Sequence, residues 1–181
     1  MTIANKLTIL RVCLIPLFVL SFYLCGGALF FVPALLFSLA AVTDYLDGYL
    51  ARSRGEVTTF GKFMDPIADK LLVAAAFVLL VSDGRLSAWV CVVFLGREFL
   101  ISGFRLVAAG ENIVIAASRL AKVKTVTQLV AAILLLLWNW PFSLISFPMD
   151  QIAVWAALGF TIWSGGEYIF KNKGLLSARK G

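Results

Sequence analysis

The chain has 181 residues, of which 61% are hydrophobic and 14% charged, with a net charge of +6 and a mean hydropathy of +0.96. A soluble domain of this length needs more polar residues to cover its surface, so the composition points to one all-α integral membrane domain, residues 1–181. Histidine is absent. That excludes His-dependent triads, imidazole bases and His-containing zinc sites, and leaves oxygen-ligated magnesium, manganese or calcium as the accessible metal chemistry.

The first apolar stretch, 9–25, carries Arg11 and is followed by no small-residue cleavage site, which argues against a removable leader. Further stretches follow at 28–50, 63–82, 86–108, 121–138 and 151–170, each about the length a helix needs to cross a bilayer, roughly 17 to 25 residues. Gly26-Gly27, the polar 52–62 segment, Asp83-Gly84, Gly110 and "NWPFSLISFP" (139–148) separate them. Cys13, Cys25 and Cys91 are odd in number and sit in apolar runs, as small hydrophobes do, rather than in a disulfide framework.

Six spans put the N-terminus, the 52–62 loop, the 105–124 region and the C-terminus on one side. Every Lys and Arg except Arg85 lies in or next to those segments. That bias predicts a six-span membrane protein with both termini cytoplasmic, and Trp138, Trp140 and Trp155 fit an interfacial belt near the opposite face. The positive charge is thereby a matter of topology. No groove-reading module or aromatic-interleaved basic stripe points to nucleic acid.

The stretch "DYLDGYLARSRGEVTTFGKFMDPIAD" (44–69) runs against this pattern. A carboxylate at mid-bilayer depth costs roughly 2.5 to 3.5 kcal/mol. Glu56 fits a solvated loop. Asp44 and Asp47 are spaced i, i+3, and Asp65 and Asp69 i, i+4, so each pair shares one strip of a helix. Pro66 is best tolerated in a first turn, so the third span is expected to start just before it, and the second to end with its own acid pair. Four carboxylates close together repel, and they stay ionised only with cations among them. Two divalent ions would balance them, an arrangement suited to phosphoryl chemistry. Gly48 and Gly61 would let backbone approach a ligand, and Arg52 could hold a phosphate oxygen.

Written out, Asp44-x2-Asp47-Gly48-x2-Ala51-Arg52-x8-Gly61-x3-Asp65-x3-Asp69 is similar to the signature of the CDP-alcohol phosphatidyltransferases, with every fixed position present at the expected gap. The resemblance covers the whole chain. It implies a six-span fold, two Mg2+ or Mn2+ ions, and transfer of a phosphatidyl group from a CDP-linked lipid to an alcohol with release of CMP. It further implies that Asp44, Asp47 and Asp65 are the principal metal ligands. Asp69 is then the base for the attacking hydroxyl and a further metal contact, and Gly48, Ala51, Arg52 and Gly61 shape the nucleotide pocket. Asn5 and Thr8, with Arg11, would lie near the cytoplasmic mouth, where starting a helix accounts for the first two equally well. A homodimer in the bacterial cytoplasmic membrane, with the site facing the cytoplasm, also follows from the resemblance.

Arg97, Arg105, Arg119, Lys122 and Lys124 gather around the fourth and fifth spans. Topology and lipid headgroups account for some of them. Arg97 and Glu98 interrupt "VCVVFLGREFLISGF", and ionisable groups inside a membrane usually face a cavity or each other. A cationic cluster beside the acids implies an acceptor that itself carries phosphate. The segments "NKLTILR" (5–11), "GREFLISGFR" (96–105) and "SRLAKVKTVTQ" (118–128) resemble the branch of the family whose acceptor is glycerol 3-phosphate and whose donor is CDP-diacylglycerol. An inositol phosphate, or phosphatidylglycerol as acceptor, are the rivals inside the family. Outside it stands a cation-coupled transporter, against which the acids cluster at one face and no inverted repeat is visible.

Overall fold

The computed structural model describes residues 3–25, 29–54, 59–110 and 118–177; side chains at 3–9, 11, 44–54, 59–69 and 172–177 lie outside the described residues. Six α-helices make up this part of the chain: α1 (Ile3–Leu24), α2 (Phe31–Arg54), α3 (Thr59–Ser82), α4 (Ala88–Gly110), α5 (Arg119–Leu136) and α6 (Met149–Ser177). Each apolar stretch read from the sequence is one helix, and no strand occurs among the described residues.

Two expected boundaries are corrected. α2 continues to Arg54 and α3 begins at Thr59, so the acid pairs lie inside the two helices rather than at their ends. Pro66 falls about two turns into α3, where its ring removes the ladder bond to the Lys62 carbonyl. The physical reason is that hydropathy marks where an apolar run stops, whereas a helix continues through polar residues that still complete its backbone bonds. "ARSR" (51–54) contains good helix formers, so α2 runs through it and stops only at Arg54.

α1 packs on α2 and α3, α2 and α3 on each other and on α5, α3 on α4, and α6 on α4 and α5. The core where they meet is built from Phe18, Phe37, Phe77, Phe94, Leu80 and Leu135, all nearly inaccessible. Phe18 meets Phe37 at 5.7 Å between ring centroids and Phe77 meets Phe94 at 5.0 Å, both tilted, an arrangement aromatic quadrupoles favour. Ala40, Ala76, Ala131 and Ala132 are fully buried and let the helices approach closely. Helical hydroxyls bond back to their own helix: Ser21 to the Phe18 carbonyl at 2.7 Å, Ser38 to Ala34 at 2.7 Å and Thr161 to Ala157 at 2.6 Å. The cysteines are free, as expected.

The outer face is as apolar as the core. Leu20, Leu35, Val78, Val92, Leu106, Val126 and Ile162 are all exposed. Among the described residues, however, no helix is long and apolar enough to cross a membrane. Charge is part of the cause: Arg97, Glu98 and Arg105 interrupt α4, and Arg119, Lys122 and Lys124 interrupt α5.

At one end of the bundle, Arg85 explains itself. It is the cation that the charge bias left over, and it lies in the turn between α3 and α4. Its Nε donates to Asp83 Oδ2 at 2.5 Å and its Nη1 to the Leu135 carbonyl at 2.7 Å, with Leu136 at 3.4 Å. Those carbonyls end α5, where no further helical turn supplies the usual N–H; that of Leu135 also accepts from the Trp138 N–H at 3.2 Å. The guanidinium also lies 4.2 Å from the Trp138 ring centroid and 5.3 Å from Phe22. Asn139 ties the α5–α6 connection: its Nδ2 donates to the Phe147 carbonyl at 2.6 Å, and its Oδ1 accepts from the Asp150 backbone N–H at 3.1 Å. Asn139 has a φ of 60°, a left-handed conformation that asparagine tolerates better than most residues.

Candidate active site

α2 and α3 are helical across the acid-rich stretch and pack together, so Asp44 with Asp47, and Asp65 with Asp69, keep their one-turn spacing. Only residues 55–58 separate the two helices, a link short enough to make them antiparallel neighbours. In such a hairpin, residues equally far from the link stand at the same height. Asp47 is thereby level with Asp65 and Pro66, and Asp44 with Asp69. The side chains of these four residues, and of Asn5, Thr8, Gly48, Ala51, Arg52 and Gly61, lie outside the described residues. Among those described, no group of three or more His, Cys, Asp or Glu could hold a metal. The acids of the hairpin offer carboxylate oxygen, with no cysteine or histidine between Asp44 and Asp69 in the sequence, and that chemistry fits hard divalent cations.

The cations expected to serve an acceptor divide into three groups. Arg97 and Lys124 come together on Glu98. Arg97 Nη1 donates to Glu98 Oε1 at 3.0 Å, and Lys124 Nζ, from α5, donates to the same oxygen. Arg97 Nη2 reaches Ser164 Oγ on α6 at 3.2 Å. Arg97 packs close to α6, where a Cβ at Gly165 would meet Arg97 Cγ at 3.4 Å, ordinary van der Waals contact. Gln128 Nε2 adds a bond to Thr161 Oγ1 at 3.0 Å, so a polar belt joins α4, α5 and α6 inside the bundle. Arg105 stands apart, its guanidinium 5.8 Å from the Tyr168 ring centroid. Arg119 and Lys122 are exposed at the start of α5, whose N-cap is Ser118, accepting from the Ala121 N–H at 3.2 Å. Cations in a first turn oppose the helix dipole, so helix stability does not account for these two.

Beside the belt is a cavity of about 60 Å³. Lys70, Glu98, Lys124 and Gln128 supply its polar wall, and Phe77 and Phe94 part of its apolar wall. Lys70 was not among the residues the sequence pointed to. It directly follows Asp69, and a cation adjoining an expected catalytic acid was the signal available. Glu98 was visible as a charge in an apolar run beside Arg97, but its other partner, Lys124, is 26 residues away.

The sequence model of the CDP-alcohol phosphatidyltransferase family matches residues 1–163, and the chain belongs to that family. Among its relatives, a CDP-diacylglycerol–glycerol-3-phosphate 3-phosphatidyltransferase of Bacillus subtilis is 45% identical over 180 residues, covering 93% of each chain. Proteins of the same name from Rickettsia felis and Haemophilus influenzae are each 41% identical; the first covers 91% of both chains, the second 94% of this chain and 92% of its own.

Proposed function

We propose that this chain transfers the phosphatidyl group of CDP-diacylglycerol to glycerol 3-phosphate, giving phosphatidylglycerophosphate and CMP. The observation that carries the reading is the complete Asp44-to-Asp69 signature on a two-helix hairpin, in a chain similar over almost its whole length to relatives named for this reaction.

Asp44, Asp47 and Asp65, with Asp69 beside them, would hold two divalent cations, whose charge would neutralise the diphosphate and polarise the bond to CMP. Asp69 takes the proton of the acceptor hydroxyl, whose oxygen forms a bond to the phosphorus bearing diacylglycerol as the bond from that phosphorus to the CMP oxygen breaks. Gly48, Ala51, Arg52 and Gly61 receive the nucleotide, with Asn5 and Thr8 at the mouth. Arg97, Arg105, Arg119, Lys122 and Lys124 serve the acceptor's phosphate. The whole chain acts as one domain and as a homodimer in a bacterial cytoplasmic membrane, with six spans, cytoplasmic termini and the acids facing the cytoplasm. The apolar outer face supports this placement, since a surface of that kind in water invites association. So does the pairing of charges within α4 and α5: Arg97, Glu98 and Lys124 meet one another inside the bundle, where lipid does not reach them.

Purified protein given CDP-diacylglycerol, Mg2+ or Mn2+ and a panel of alcohols should release CMP fastest with glycerol 3-phosphate. Faster release with an inositol phosphate or phosphatidylglycerol would reassign the acceptor, and no release with any alcohol would favour the transporter. Asp69→Asn should lower turnover by roughly 10² to 10⁴-fold while the protein remains folded; normal turnover would remove Asp69 from the role of base.

A further inference from the structure

We infer that Glu98 is a positioning residue for the acceptor: it holds Lys124 as an oriented ammonium at the cavity wall and couples it through Arg97 to α6. The inference rests on the phosphatidyl-transfer reading and assigns a role to a residue outside the family signature. Its first ground is burial. The Lys124 side chain is 1% exposed, while Val123 and Val126 on the same helix are exposed. A buried ammonium is costly unless paired and hydrogen-bonded, and Glu98 supplies the carboxylate.

The second ground is geometry. A single oxygen, Glu98 Oε1, accepts from both Lys124 Nζ and Arg97 Nη1, and Arg97 is itself fixed by Ser164 Oγ. Glu98 is thus the shared point of a chain running from α5 through α4 to α6. The third ground is location. Glu98 and Lys124 both line the cavity that Lys70 enters from α3, one residue beyond Asp69. A shift in Glu98 would therefore move a cation beside the expected reaction centre. Stability alone explains the arrangement poorly, because replacing a buried ion pair with packed apolar residues is often neutral or stabilising.

The test separates positioning from scaffolding. Initial rates are measured against glycerol 3-phosphate and, separately, against CDP-diacylglycerol, with the thermal midpoint in detergent, for wild type, Glu98→Gln, Glu98→Asp, Lys124→Met and Glu98→Gln/Lys124→Met. Glu98→Gln should raise the acceptor KM about tenfold and leave the liponucleotide KM within about twofold, with Glu98→Asp between it and wild type. Glu98→Gln should lose the most stability, because it leaves both Lys124 and Arg97 without a carboxylate. The double variant, in which only Arg97 lacks that partner, should recover part of the midpoint but keep the raised acceptor KM. An unchanged acceptor KM in Glu98→Gln, or equal rises for both substrates, would overturn the inference. So would a double variant that regains both midpoint and acceptor KM. Should Glu98→Gln fail to fold, the double variant decides between the same outcomes. Wild type that makes no phosphatidylglycerophosphate would instead overturn the parent reading, and the inference with it.

Discussion

Two guanidinium clusters in this bundle are built from similar parts and differ in what surrounds them. Arg85 has one carboxylate, two carbonyls that end α5, and two aromatic faces. Every one of these contacts closes a turn or a helix end. Arg97 shares a carboxylate oxygen with Lys124 from another helix, and Glu98 and Lys124 line a cavity together with Lys70, the residue after Asp69. Arg85 also borders a cavity, with Asp83, Leu136 and Trp138. Its cluster completes the fold. The Arg97 cluster lies beside the signature helix, where the proposed acceptor would need charge; neither burial nor a neighbouring cavity distinguishes the two, and the partners of each cation do.

The contrast can be broken by substitution. The largest effect is expected at Lys124→Met, which should raise the acceptor KM by roughly 30-fold to several thousand-fold, as loss of a buried charge-assisted contact costs about 2 to 5 kcal/mol; kinetics with each substrate varied in turn would check it. Arg85→Gln should cost about 2 kcal/mol of stability through the charged hydrogen bond lost at the end of α5, with kcat/KM per folded molecule unchanged. A fall in kcat/KM at constant stability would erase the distinction between the clusters. Asn139→Ala should cost about 1 kcal/mol from the lost bonds to Phe147 and Asp150, read as a lower thermal midpoint. Asp83→Asn should change stability by less than about 1 kcal/mol, because the Asp83 side chain is 37% exposed and such pairs contribute little.

The six helices were legible because each is an apolar run bounded by Gly, Pro or charge. Their ends were less so: α2 and α3 extend toward each other through polar residues that change hydropathy without breaking backbone bonds. The acid pairs were legible because their spacing is local, and a helix preserves it. The Glu98 belt was only half visible. Glu98 and Lys124 are 26 residues apart and Arg97 and Ser164 are 67 apart, distances over which no helical period carries information. Arg85 had read as an exception to the charge bias until α5 was seen to end against it.

The central claim, phosphatidyl transfer to glycerol 3-phosphate, is tested most directly by following radiolabelled glycerol 3-phosphate into the lipid phase with CDP-diacylglycerol present. The account predicts label in phosphatidylglycerophosphate and CMP formed in equal amounts, both abolished by EDTA and restored by Mg2+ or Mn2+. CMP formed while the label stays in the aqueous phase, or label entering lipid with EDTA in excess, would contradict it.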